Sequence, residues 1–171
     1  MTSPLSVIIL AAGKGTRMQS AKPKVLQTLA GKSLLAHVLD TCNQLTVDET
    51  IIVHGFGGDQ VKSEITNQYT QSSFTWVAQT EQLGTGHAVK VTLSDLPKSG
   101  KSLILYGDVP LVSCQTLAAL KAANTDGMSM LTLTVDNPFG LGRIKRDQNG
   151  NIEAIVEQKD ASADEQNIKE I

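Results

Sequence analysis

Three cations and one carboxylate follow apolar runs in this chain, and together they could grip a phosphate chain. The run Leu5–Leu10, "LSVIIL", gives way at once to "AAGKGTRM", which sets Lys14 and Arg17 among glycines, and Lys24 follows directly after Pro23. A second apolar run, "LILY", ends at Tyr106 and is followed by Gly107 and Asp108. Successive backbone N–H groups in a glycine-bearing loop form a concavity that suits anions. Arg17 offers a planar fork for phosphate oxygens, and Lys24 a compact point charge. The fixed φ of Pro23 limits how the Lys24 segment moves. A carboxylate beside polyphosphate is repelled unless a divalent cation lies between them, and Mg²⁺ is often held by one or two carboxylates plus substrate phosphates. The bland alternatives are a solvated loop whose glycines only make turns, and a turn or capping role for Asp108.

The elements that must position these residues are legible in the apolar pattern. "LSVIIL" predicts a strand buried on both faces. The loop then runs to about Gly31, and "SLLAHVLDTCNQL" predicts a helix capped by Ser33. "TIIVHG" (Thr50 to Gly55) predicts a second strand, "DQVKSEITNQY" an amphipathic helix from near Asp59, and "FTWVAQ" a third strand. "TEQLGTGHAVKVTLSDL" reads as a glycine loop leading into a helix, and "KSLILYGDVPL" as a fourth strand ending in a turn. "SCQTLAALKAAN" predicts a helix capped by Ser113, and "MSMLTLTV" a fifth strand. "GRIKRDQNGNIEAIVE" alternates around Asn149-Gly150, the signal for a hairpin. The tail is polar and acidic.

Strands alternating with helices in this order give parallel βαβ units and an α/β fold. Ligands of such sheets bind beyond the carboxyl ends of the strands. "AAGKGTR" follows strand one, "QLGTGH" strand three and "YGDVP" strand four, so all three glycine-bearing segments should emerge on one edge.

Composition narrows the partners. The 171 residues suffice for one domain with a real core, and 40% hydrophobic with 19% charged residues is ordinary for a soluble protein. With 15 Lys+Arg against 17 Asp+Glu, the net charge of −2 argues against nucleic acid as the main partner. No apolar run approaches the roughly 20 residues of a membrane helix, and no positive residue precedes the N-terminal apolar stretch as in a signal peptide. Cys42 and Cys114 are expected as free thiols in a reducing cytoplasm, a disulfide being the alternative. His37, His54 and His87 show no metal-ligand spacing.

Two familiar glycine motifs fail. The dinucleotide fingerprint would start at Gly13 and Gly15, but its third glycine position holds Met18. "LQTLAGKS" matches a P-loop at Gly31, Lys32 and Ser33, but Leu26 stands at the first glycine position and no strand immediately precedes it.

"LAAGKGTRM" with the downstream "KPKVL", "TEQLGTGHA", "YGDVPL", "GLGRI" and "IVEQKDA" together resemble the sugar-1-phosphate nucleotidyltransferases, and among them the uridylyltransferases of N-acetylglucosamine 1-phosphate. The likeness runs from about Leu5 to Ile171. It implies a Rossmann-like, mostly parallel sheet flanked by helices, with a β-hairpin near the C-terminus. It implies a nucleotide site lined by Leu10, Ala11, Ala12 and Gly13, with Gln79, Gly84 and Thr85 recognising uracil. Arg17 and Lys24 would hold the triphosphate, Tyr106, Gly107 and Asp108 would line the centre, and Asp108 would be a Mg²⁺ ligand. Gly142 and Glu157 would contact the sugar; on the residues alone they read as a strand-entry turn and an exposed strand residue.

The implied reaction joins UTP and N-acetylglucosamine 1-phosphate into UDP-N-acetylglucosamine and pyrophosphate, for peptidoglycan and lipopolysaccharide precursors in the cytoplasm. Related enzymes for another sugar phosphate or base, and a non-catalytic nucleotide-binding module, are the competing readings.

The resemblance carries departures. "NPFGLGRI" has Phe139 and Leu141 where Thr and Tyr are usual. A sugar-contacting asparagine would come directly after Ile171, and a second Mg²⁺ ligand, also asparagine, further on. The acetyltransferase β-helix of bifunctional members, through which they form trimers, would lie beyond as well. The chain is therefore expected to be a fragment that binds UTP weakly and turns over poorly, with no obligate trimer.

Overall fold

The structure, a computed structural model, describes residues 3–15, 18, 20–125 and 127–171. Its contacts divide into two compact units, one ending at Lys121 and the other spanning Ala122–Ile171.

The first unit is built on β1 (Leu5–Ala11), whose unbroken apolar sequence suits a strand covered on both sides. After a 3-10 turn (Lys24–Leu26) comes a short antiparallel hairpin, β2 (Thr28–Leu29) with β3 (Lys32–Ser33), inside the stretch expected to be loop. Helix α1 (Leu34–Cys42) starts where the sequence predicts, with Ser33 Oγ accepting from the Ala36 N–H at 3.3 Å. Strand β4 (Glu49–His54), helix α2 (Gly58–Gln68), strand β5 (Thr75–Ala78), the short helix α3 (Thr85–Lys90) and strand β6 (Lys101–Tyr106) follow in the expected order. Helix α4 (Cys114–Ala123) is capped by Ser113, whose Oγ accepts from the Thr116 N–H at 3.1 Å.

The four main strands are all parallel, in the order β5-β4-β1-β6. From β1 the chain winds through β4 to β5 on one side, then returns to lay β6 against the other side of β1. That reversal makes the gap between β1 and β6 the switch point of the sheet, where the carboxyl ends leave a crevice.

Alternation along β1 divides the core. Val7 and Ile9 face a cluster with Leu26, Leu35, Ile52 and Val61, while Ile8 faces Val53 and Ala88 of α3. Each fully buried aliphatic contributes about 1.5–3 kcal/mol, so β1 is anchored from both faces. Cys42 is buried and Cys114 half-buried, and both are free thiols, as expected. Burial, with Cys114 nearby, pushes the Cys42 thiol up to about 12.

The second unit holds the predicted hairpin, β7 (Arg143–Arg146) with β8 (Ile152–Val156). Its turn is longer than the Asn149-Gly150 pair. Asp147 Oδ1 accepts from the Asn149 and Asn151 N–H groups, Gly150 takes φ +85°, and a bulge lies at Lys145/Arg146.

The fifth strand predicted from "MSMLTLTV" is not formed. Only Thr134 makes a ladder bridge, to Glu170, flanked by bonds between Leu133 and Ile171 and from Val135 to Lys169. The alternation there is genuine, but the partner is a three-residue antiparallel segment, and Leu131 and Leu133 stay exposed.

Candidate functional site

The three glycine-bearing segments do emerge together at the carboxyl edge of the sheet. The loop after β6 is tied to the end of β1 by the Gly107 N–H donating to the Leu10 carbonyl at 2.9 Å. Beyond Gly107, Asp108 forms an ion pair with Lys24. The cation from the loop after β1 and the carboxylate from the loop after β6 thus meet across the switch point, with both side chains reaching solvent. Leu10, Ala11, Ala12 and Gly13 supply the backbone beside them, and the Tyr106 ring is half-exposed at the last position of β6. Arg17, the other predicted phosphate-binding cation, lies outside the described residues.

Lys24 is held from two sides. Gly15 has φ +59°, and a Cβ there would fall 2.8 Å from Lys24 Cβ, so only glycine lets the two segments pass this closely. Gly57, at φ +65° ahead of α2, would carry a Cβ 2.5 Å from Cγ of Pro23, the residue before Lys24.

The third segment closes the edge. The Gln79 N–H donates to the His54 carbonyl at 2.8 Å, continuing the β4–β5 ladder. Its side chain is buried at 5% exposure, with Nε2 donating to the Gly84 carbonyl at 3.1 Å. Gly84 caps α3 at φ +94°, and Thr85 is the first residue of that helix. Gln82 reaches back to β1, its Nε2 donating to the Ala12 carbonyl at 3.0 Å. Every predicted nucleotide-site residue that is described therefore lies along one edge of one unit.

The second unit brings its own pair together. Gly142 enters β7 and Glu157 leaves β8, one step beyond the Arg143–Val156 pairing. A Cβ on Gly142 would lie 3.9 Å from Glu157 Oε1. The loop before β7 is pinned by Gln158, whose Oε1 accepts from the Gly140 N–H at 2.9 Å and from Arg143 Nη2 at 2.7 Å.

Sequence reasoning did not single out Gly57, Gln82 or His87. Gly57 belongs to "GFGG", a glycine run after the second strand that resembles the other three segments and was the available signal. Gln82 acts on Ala12, seventy positions away, and has no local signature. A depression of about 450 Å³ opens beside this glycine run, lined by His54, Gly55, Gly57 and Gly58 among others. Burial, helped by Lys62, holds the His54 imidazole below its ordinary pKa, so it is neutral at pH 7.

A divalent cation can be weighed against this geometry. Among the described residues no group of three His, Cys, Asp or Glu side chains could cage one. Asp108 is a single, partly exposed carboxylate at the carboxyl edge of the sheet. It suits a cation whose remaining ligands are substrate phosphates and water.

Residues 7–142 match the MobA-like NTP transferase domain. The chain is 84% identical over all of its 171 residues to the bifunctional protein GlmU of Psychrobacter cryohalolentis, and spans 37% of that relative's length. Two solved structures share the fold. HddC from Yersinia pseudotuberculosis, complexed with GMP-PN, superposes with a TM-score of 0.68 at 22% identity, over 90% of this chain and 69% of that one. Rv0371C from Mycobacterium tuberculosis H37Rv, in complex with manganese, gives 0.58 at 21% identity, over 71% and 59%. No helix among the described residues is long and apolar enough to cross a membrane. The chain belongs to the MobA-like NTP transferase domain family.

Proposed function

We propose that this member of the MobA-like NTP transferase domain family is the uridylyltransferase part of a larger protein, transferring UMP from UTP to N-acetylglucosamine 1-phosphate. The observation that carries the reading is the Lys24–Asp108 pair at the switch point, between the two loops expected to share a polyphosphate. The 84% likeness to a bifunctional GlmU, over part of that protein's length, supports the uridylyl chemistry and a role in envelope precursors.

In the reaction, a phosphate oxygen of the sugar phosphate attacks the α-phosphorus of UTP. A new P–O bond forms, the α–β bridge breaks, and pyrophosphate leaves. The phosphate monoester, with a second pKa near 6, is already mostly dianionic at neutral pH, so no general base is required. The difficulty is anion approaching anion, which positioning and charge neutralisation overcome. Lys24 turns from Asp108 to the phosphates, Arg17 adds a second cation, and the backbone from Leu10 to Gly13 cradles the nucleotide. A Mg²⁺ held by Asp108 and the substrate phosphates supplies further neutralisation when bound. A structural neighbour in complex with manganese is consistent with that cation. Gln79, Gly84 and Thr85 read uracil, and Gly142 with Glu157 contacts the sugar.

The test is pyrophosphate release by the gene product that carries this chain, assayed with a panel of nucleoside triphosphates and sugar 1-phosphates. The reading expects UTP and N-acetylglucosamine 1-phosphate to be the preferred pair, with turnover lost on chelation of Mg²⁺. Preference for another base or sugar would replace it with a sister activity, and triphosphate binding without product would make the protein a sensor.

A further inference from the structure

The amide of Gln79 has no nitrogen hydrogen left to offer a ligand. A primary amide carries two N–H donors on its nitrogen and acceptor capacity on its oxygen. One hydrogen of Gln79 Nε2 goes to the Gly84 carbonyl, and Nε2 also lies 3.1 Å from His87 Nδ1. A backbone carbonyl can only accept, so the amide nitrogen faces it; turned over, the amide would set two acceptors against each other. The second hydrogen then points to His87 Nδ1, which must present its lone pair, with the ring proton on Nε2. What remains of the side chain for a ligand is Oε1, an acceptor.

We propose that His87 is a positioning residue for base selection. It locks the Gln79 amide so that only the oxygen faces the base, favouring a pyrimidine with N–H at ring position 3. The inference rests on Gln79 being the base reader proposed above. Uracil presents acceptor, donor and acceptor along its pairing edge, with the imide N3–H in the middle. Cytosine has a bare N3 there, whose lone pair would oppose Oε1. An amide free to turn could accommodate either base by offering nitrogen or oxygen. The Gly84 carbonyl alone favours the same orientation, but without His87 it leaves one N–H of a buried side chain without a partner. The lock therefore needs both contacts.

The experiment uses the gene product that carries this chain, with kcat and KM measured for UTP and CTP. His87→Leu keeps the bulk of the ring and removes the acceptor. It is expected to raise KM for UTP about tenfold, with the smaller share of the loss in kcat, and to narrow the preference for UTP over CTP by about the same factor. His87→Asn places Oδ1 the same number of bonds from the backbone as Nδ1, and is expected to recover most of both. Thermal midpoints are read alongside, and His87→Ala is read in place of a His87→Leu protein that has lost its fold. An unchanged preference in His87→Leu, or no recovery in His87→Asn, overturns the inference. Gln79→Leu separates the two levels. If it abolishes the preference while His87→Leu does not, only the positioning role fails. If it leaves the preference untouched, Gln79 does not read the base and both proposals fall.

Discussion

The two units of this protein are held together by different forces. In the first, β1 is sealed by aliphatic side chains on both faces, with Val7, Ile8 and Ile9 at 0% exposure. In the second, Ile144 is the one buried hydrophobic residue among those described, and Phe139, Met128 and Leu133 are largely exposed. Its order rests on polar contacts instead. Arg146 makes a two-point pair with Glu170 at 2.6 and 2.8 Å, Lys145 lies within 4 Å of Glu153 and Glu165, and Asp147 gathers the hairpin turn. Even its buried Arg143 is met by neutral acceptors, Leu141 O and Gln158 Oε1, while its Nε has no partner among the described residues. A rigid apolar scaffold suits loops proposed to aim charges at a polyphosphate. A unit tied by exposed charges is cheaper to loosen and is sensitive to acid and salt.

The largest effects are expected at the carboxyl edge of the parallel sheet. Asp108→Asn, or Lys24→Ala, should lower turnover about 10²–10³-fold while leaving thermal unfolding of the first unit nearly unchanged. Arg17→Ala is expected to act on the same scale. A variant that turns over at the parental rate would remove that residue from the site.

Packing provides the next largest effect. Ile9→Ala should cost about 2–5 kcal/mol in denaturant unfolding, whereas Leu133→Ala in the second unit should stay within about 0.5 kcal/mol. Equal costs would mean that the second unit has a core of its own. Gly57→Ala forces a left-handed conformation on an L residue and drives a methyl group into Pro23, so a loss of about 1–2 kcal/mol is expected, with a higher KM for UTP because the Lys24 segment shifts.

Acid should act on the second unit at the Arg146–Glu170 pair. The hydrogen bonds from Arg146, with one from Thr132, draw the Glu170 carboxyl down from 4.5 to about 2. Its folded value is depressed, so its contribution is complete above pH 4.5 and drains away as pH falls toward 2. Amide NMR signals of Ile144 and Ile171 should move over that window, and Arg146→Gln should raise its midpoint toward 4.5. A midpoint unmoved by Arg146→Gln would show that the pair does not hold the segment.

The legible parts of this fold are those written locally. An unbroken apolar run marked β1, serines three residues ahead of a free N–H marked the caps of α1 and α4, and glycines after strands marked one edge of a parallel sheet. Contacts between distant segments left no such mark. Nothing around Gln82 announces Ala12, and nothing around Gly57 announces Pro23. "MSMLTLTV" failed for the complementary reason: alternation shows that a segment could pair, but the length of the ladder is set by its partner, here Lys169–Ile171. Gly142 and Glu157 were named through resemblance alone, and their adjacency follows from the hairpin register, which no pattern around either residue encodes.

In this reading the loops after β1 and β6 form one phosphate-gripping site. It is tested most directly by the turnover of Lys24→Ala, Asp108→Asn and the double variant. If the two act on one polyphosphate, the double variant loses little more than the worse single variant. A double loss equal to the product of the single losses would mean that the two residues work independently, and that the two loops do not share one phosphate site.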